Sequence, residues 1–93
     1  MGLEQIELIM DVEDEFGIKV PDDIAGDVRT VGALHDAVMA IVMNSKTAAI
    51  RERADLNEFV WKRLCELSAK LSSGVKARQI SRATRFIEDL GYG

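Results

Sequence analysis

The sequence predicts a small all-α bundle: three amphipathic helices, with a short helical piece between the first two. Three observations predict it. Large apolar residues return every three or four positions in three separate stretches, no stretch alternates with the two-residue period of a strand, and residues that start or stop helices bound each stretch.

The first stretch, residues 2–16, carries Leu3, Ile6, Ile9, Met10 and Phe16 at helical spacing, with Glu4, Glu7, Asp11 and Asp14 on the other side. Gly17 follows as a C′ glycine, which adopts left-handed dihedrals without steric cost. Pro21 then blocks propagation, and Asp22 and Asp23 suit the start of a short turn. Thr30 is placed to cap the second main helix, whose Val31, Leu34, Val38, Ile41 and Val42 share a face and which frays near Asn44. Residues 44–54 read as a linker, partly helical. Asp55 and Glu58 have the spacing of a capping box, and Leu56, Phe59, Val60, Leu64, Leu67 and Leu71 make the face of the third main helix. Ser72, Ser73 and Gly74 end it. The remaining apolar residues, Val75, Ile80, Phe86, Ile87 and Leu90, suit a long loop laid across the bundle.

At 93 residues the chain is long enough for one domain with a single modest core. Apolar residues make up 47% and charged residues 30%, the balance of an ordinary globule. One cysteine, Cys65, excludes an internal disulfide and a multi-cysteine metal site. The longest apolar run, Ala37 to Met43, is far short of the roughly 20 residues that span a bilayer, and the acidic, periodic start does not read as a signal peptide, so a cytoplasmic location is expected. Net charge is −4 and uneven: residues 1–46 hold three Lys/Arg against ten Asp/Glu, residues 47–93 nine against six. An acidic half of this kind repels nucleic acid and anionic membrane and steers association toward basic protein surfaces.

Glu88, Asp89, Leu90 and Gly91, followed across the chain's ends by Leu3, Glu7, Leu8, Ile9, Met10, Glu13 and Phe16, resemble the centre of an acyl carrier protein. Two longer blocks extend the resemblance. Residues 17–38 follow the family's later half, with Ile18, Val20, Pro21, Asp22, Ala25, Thr30 and Val31 at its anchor positions, and residues 74–93 follow its earlier half through Ile80 and Phe86. Their order is inverted. The resemblance therefore implies one domain, residues 1–93, with a circularly permuted carrier fold of three main helices and a short fourth: residues 1–43 match the later half, 44–54 link, and 55–93 match the earlier half. Family termini lie at one end of the bundle, and the eleven linker residues reach roughly 30 Å, enough to bridge it.

In the family a serine at the start of the acidic helix holds 4′-phosphopantetheine. Here that position falls on Gly2, or on Met1 if Gly2 is read as an insertion, and neither side chain can form the phosphodiester. Ser45, Ser68, Ser72, Ser73 and Ser81 lack the surrounding motif. No cofactor is expected on this chain, nor an enzyme activity. The family's acidic helix docks on basic patches of acyl-processing and carrier-modifying enzymes, and the resemblance carries that role to Glu4, Glu7, Asp11, Glu13 and Asp14. The expected function is a carrier-like, protein-binding module of fatty-acid or polyketide-type metabolism, monomeric. Two alternatives are a working carrier whose serine comes from a partner chain or another form of the gene, and a domain-swapped dimer.

Other chemically interesting residues favour structural roles. His35 has no second histidine or paired cysteine near it, so no metal is expected. Cys65 lacks a neighbouring base and reads as a packed thiol. Trp61 lies off the main apolar stripe, at a core edge or on a contact surface. Arg78, Arg82 and Arg85 make a small basic loop without the aromatic interleaving of a nucleic-acid site.

Overall fold

The computed structural model describes residues 2–93. Its helices are α1 (Leu3–Phe16), α2 (Asp22–Asp27), α3 (Val31–Asn44) and α4 (Leu56–Lys70), with short 3₁₀ turns at Ala49–Glu52 and Ala77–Gln79. Among the described residues the only β-type pairing is an isolated antiparallel bridge between Thr30 and Arg85. The protein is an all-α bundle. α4 packs on both α3 and α1, and the radius of gyration is 12.3 Å, what a compact chain of this length takes.

Local signals set the helix ends. Gly17 adopts φ 65° and ψ 38°, and its N–H donates to the Glu13 carbonyl at 2.9 Å, closing α1 as the sequence predicts. Thr30 caps α3, its hydroxyl accepting the Ala33 N–H at 3.1 Å. The other first-turn donors of α3 are met by a distant segment: Val31 N–H donates to the Thr84 carbonyl and Gly32 N–H to that of Arg82, both at 3.0 Å. Residues 82–86 are thereby stitched onto the start of α3, because a buried helix end must find partners for its unpaired amides.

The capping box expected at Asp55 does not form. Asp55 does precede α4, but with φ −100° and ψ 26° it is not in the extended conformation that aims a capping side chain at the helix. Its carboxylate instead accepts two bonds from Arg53, at 2.9 and 3.1 Å, while that guanidinium sits 3.8 Å over the Phe59 ring. A forked, charge-assisted pair outcompetes a single bond to a backbone amide.

The core contains Leu8, Ile9, Val12 and Phe16 of α1, Val31, Leu34, Val38 and Val42 of α3, and Leu56, Val60, Leu64 and Leu67 of α4. Ile80, Phe86 and Leu90 cross it from the closing segment, as expected. Three positions expected inside α1's apolar face are outside it: Leu3, Ile6 and Met10 are 70%, 42% and 59% exposed. Gln5 is the cause. It is buried with Leu8, Ile9 and Val12, its amide donating to the Val28 carbonyl at 3.1 Å and more weakly to that of Ala25, so a polar residue occupies the core-facing row. Ile87 is likewise exposed rather than packed, because the turn at residues 85–91 aims Phe86 and Leu90 inward and leaves the three residues between them outside. Within residues 44–54 the 3₁₀ turn forms, Ala48 is buried and Ile50 half-buried, so this segment rests on the bundle.

Candidate functional site

The outer face of α1 and the junction at its start carry the residues singled out for function. Gly2 precedes the helix with φ −75° and ψ 165°, and Gly93 lies directly on it. A Cβ built on Gly2 meets the Gly93 carbonyl oxygen at 2.7 Å and its carbon at 2.8 Å, so only glycine allows the two segments to touch this closely. Glu4, one turn in, accepts the Gly93 N–H at 3.3 Å, and a carboxylate in the first turn also complements the positive end of the helix. Met1, the other candidate for the attachment position, lies outside the described residues.

The five acids do not form one uniform docking surface. Glu4 holds Gly93, and Asp11 is half-buried with Lys70 at 4.0 Å. Glu13 is turned away to cap a loop, accepting the Val20 N–H at 2.8 Å. Glu7 and Asp14 are exposed and make no ion pair among the described residues. Glu15, outside the predicted set, accepts a two-pronged bond from Arg63 at 2.8 and 2.9 Å and ties α1 to α4. That bond from Arg63 holds the Glu15 carboxyl below its ordinary pKa against the opposing effect of burial, and the Arg63 guanidinium is correspondingly harder to deprotonate.

Between these acids runs a feature the sequence reading missed. Leu3, Ile6 and Met10, spaced by three and four, make an exposed apolar row flanked by Glu4, Glu7, Asp11 and Asp14. Exposed apolar residues scattered singly mean little, but a contiguous row rimmed by charge is the composition of a protein contact. The signal was present. α1 carries two apolar rows of helical spacing, and noticing that Leu8 and Val12 belong to a second row would have identified Leu3, Ile6 and Met10 as the spare one.

The remaining candidates fall into structural places. Cys65 is buried against α4's neighbours, and burial pushes its thiol up to about 11, away from nucleophilic use. Arg82 and Arg85 are occupied by Asp36 at 2.8 Å and Asp89 at 3.2 Å, which leaves little of the basic loop. No cluster of metal-ligating side chains occurs among the described residues, and no described helix is long and apolar enough to cross a membrane. Trp61 is half-buried at the bundle edge, its ring centroid 5.4 Å from that of His35.

Comparison with known proteins gives a partial match. Over 40 residues the chain is 49% identical to the acyl carrier protein of Sinorhizobium fredii (strain NBRC 101917 / NGR234) and, equally, to acyl carrier protein AcpP of Rhizobium meliloti (strain 1021). The match covers 43% of this chain and 47% of each relative, so the chain spans about half the length of the curated relatives it matches. No family model and no solved structure matches. The matched segment, in a small all-α bundle, supports a relationship to the acyl carrier proteins.

Proposed function

We propose that this chain is an acyl carrier-like protein that binds other proteins through α1 and holds no phosphopantetheine of its own. The observation that carries the reading is the start of α1: the helix keeps an acidic face with an exposed apolar row, while the residue at the attachment position is Gly2, packed against Gly93. The residues present do not fit the prosthetic group. Glycine offers no hydroxyl to attack an activated phosphate, and the space a side chain would need is taken by backbone.

The inverted block order is part of the same proposal. Gly93 touching Gly2 is the contact that a carrier fold opened at its attachment position would make. The match covers 40 residues, close to the length of either half of the chain, 1–43 or 55–93, and a colinear match to carriers of ordinary order would stop where the reversed half begins. Closure within one chain, residues 1–93 as a single domain, is supported by the stitching of residues 82–86 onto α3 and by the compact radius. The partners are basic patches on acyl-processing or carrier-modifying enzymes, approached through Glu7 and Asp14 and then contacted by Leu3, Ile6 and Met10. Glu4, Asp11 and Glu13 add negative potential while serving the fold.

Titrating a phosphopantetheinyl transferase against the protein tests the docking role. Glu7→Lys with Asp14→Lys slows association and flattens its salt dependence, because charges at the rim of an interface act mainly on encounter. Met10→Ser weakens the complex mainly through faster dissociation. Unchanged binding in both variants removes α1 as the docking face.

A further inference from the structure

His35 is the chain's one histidine and is 5% exposed, yet neither the core nor the docking face requires an imidazole there. Its surroundings are specific. Nε2 lies 3.2 Å from the Asn57 carbonyl oxygen at the start of α4, so this nitrogen carries the hydrogen and donates it. Nδ1 lies 3.0 Å from Nη1 of Arg82, and since an arginine only donates, Nδ1 must be bare. The ring is therefore neutral. Protonation would place a second N–H against the guanidinium donor and turn a hydrogen bond into a contact between two cations.

Arg82 is also where the closing segment meets α3. Its carbonyl accepts the Gly32 N–H at 3.0 Å, its side chain donates to the Gly32 carbonyl at 3.3 Å, and Nη2 reaches both oxygens of Asp36 at 2.8 Å. The approach is close enough that a Cβ on Gly32 would lie 2.6 Å from the Arg82 oxygen. The ring's edge is reachable by water through a cleft of about 310 Å³ lined by His35, Asn57, Glu58, Trp61 and Arg82. The charged groups facing the imidazole are Arg82 from the closing segment, Asp36 from α3 and Glu58 from α4. The first opposes protonation at hydrogen-bond distance, and Asp36, whose charge favours protonation, is already shared with that same arginine.

We propose that His35 is a proton-sensitive latch, which in its neutral form holds Arg82 and the 82–86 segment on the start of α3 and on protonation releases them. Burial and the Arg82 charge lower the affinity of His35 for a proton, while the Asn57 bond and Asp36 partly restore it. The sign follows. With the folded-state pKa below the ordinary value of 6.5, the latch is intact at and above that pH. Its contribution is lost as pH falls from the ordinary histidine value through the folded one.

Amide hydrogen exchange of the intact chain, corrected for intrinsic pH dependence, reads the latch between about pH 8 and pH 5. Val31, Gly32 and Phe86, whose N–H groups bond across this seam, lose protection several-fold on acidification, while core amides of α4 hold theirs. His35→Gln keeps a donor for Asn57 and an acceptor for Arg82 without a titrating group, and its seam amides stay protected throughout. An equal acid response in that variant, or a flat response in the parent, overturns the proposal. Should His35→Gln fail to fold, the imidazole resonances of the parent and of Arg82→Met decide. Titration must move to higher pH when the guanidinium is removed, and an unmoved midpoint refutes the latch.

Discussion

Tyr92 shows how much one side chain next to a glycine can secure. Its ring stacks on Phe86 with centroids 5.4 Å apart, and its buried hydroxyl donates to the Ser68 carbonyl at 2.7 Å. Ser68 lies in the last turn of α4, whose carbonyls have no partner within the helix, so the tyrosine satisfies an acceptor that would otherwise be buried and bare. Burial first, against the relief given by that hydrogen bond, keeps the phenol protonated at any ordinary pH. Tyr92→Phe should cost about 1 kcal/mol in urea unfolding, and Tyr92→Ala about 3–5 kcal/mol, because the second also opens a cavity. A loss under a few tenths for the phenylalanine variant would mean that the Ser68 bond contributes little. This anchor was not legible in the sequence. A lone tyrosine between Gly91 and Gly93 has no periodic neighbours, and its partner is a backbone atom 24 residues away in the chain.

At the scale of the element, helix existence and helix ends were legible, and the orientation of one helix was not. Gly17 and Thr30 act through local chemistry, within a turn of where they stand, so their roles follow from neighbours alone. The face of α1 depends instead on Gln5 finding the Ala25 and Val28 carbonyls, a contact that exists only after α2 has folded back. Asp55 failed as a capping box for a related reason, since Arg53 offered its carboxylate a better partner. The same helix carries a pH-dependent tie. Glu15 is held below its ordinary pKa of 4.5 by Arg63, so this tie is fully present above that value and is lost as pH falls through the lower, folded-state one. Glu15→Gln should therefore flatten part of the acid limb in urea midpoints below about pH 5 and leave the neutral slope unchanged. An acid limb as steep as the parent's would show that α1 is not held to α4 by this pair.

For the whole molecule, the charge asymmetry along the chain acquires a structural reading. The acidic first half and basic second half meet in three ion pairs, Glu15 with Arg63, Asp11 with Lys70 and Asp36 with Arg82, so three of the first half's ten acids are engaged across the bundle's own seams. Glu7 and Asp14 remain outside those seams, and they flank the apolar row on α1. The all-α class and its three long helices could be read from periodicity and motif, because those patterns depend only on near neighbours in the chain. The partition of the acids could not, since each acid's role is set by a partner far away in sequence: Gly93 for Glu4, Lys70 for Asp11, Arg63 for Glu15. The junction of Gly2 with Gly93 brings the topology and the proposed chemistry to one point.

That point is open to a single decisive measurement: the intact mass of the protein after incubation with coenzyme A and a promiscuous phosphopantetheinyl transferase, beside an authentic carrier as control. A binding module with glycine at the attachment position gains no mass while the control gains one phosphopantetheine. A gain of one phosphopantetheine on this chain would contradict the account, because it would require an attachment hydroxyl that Gly2 does not have.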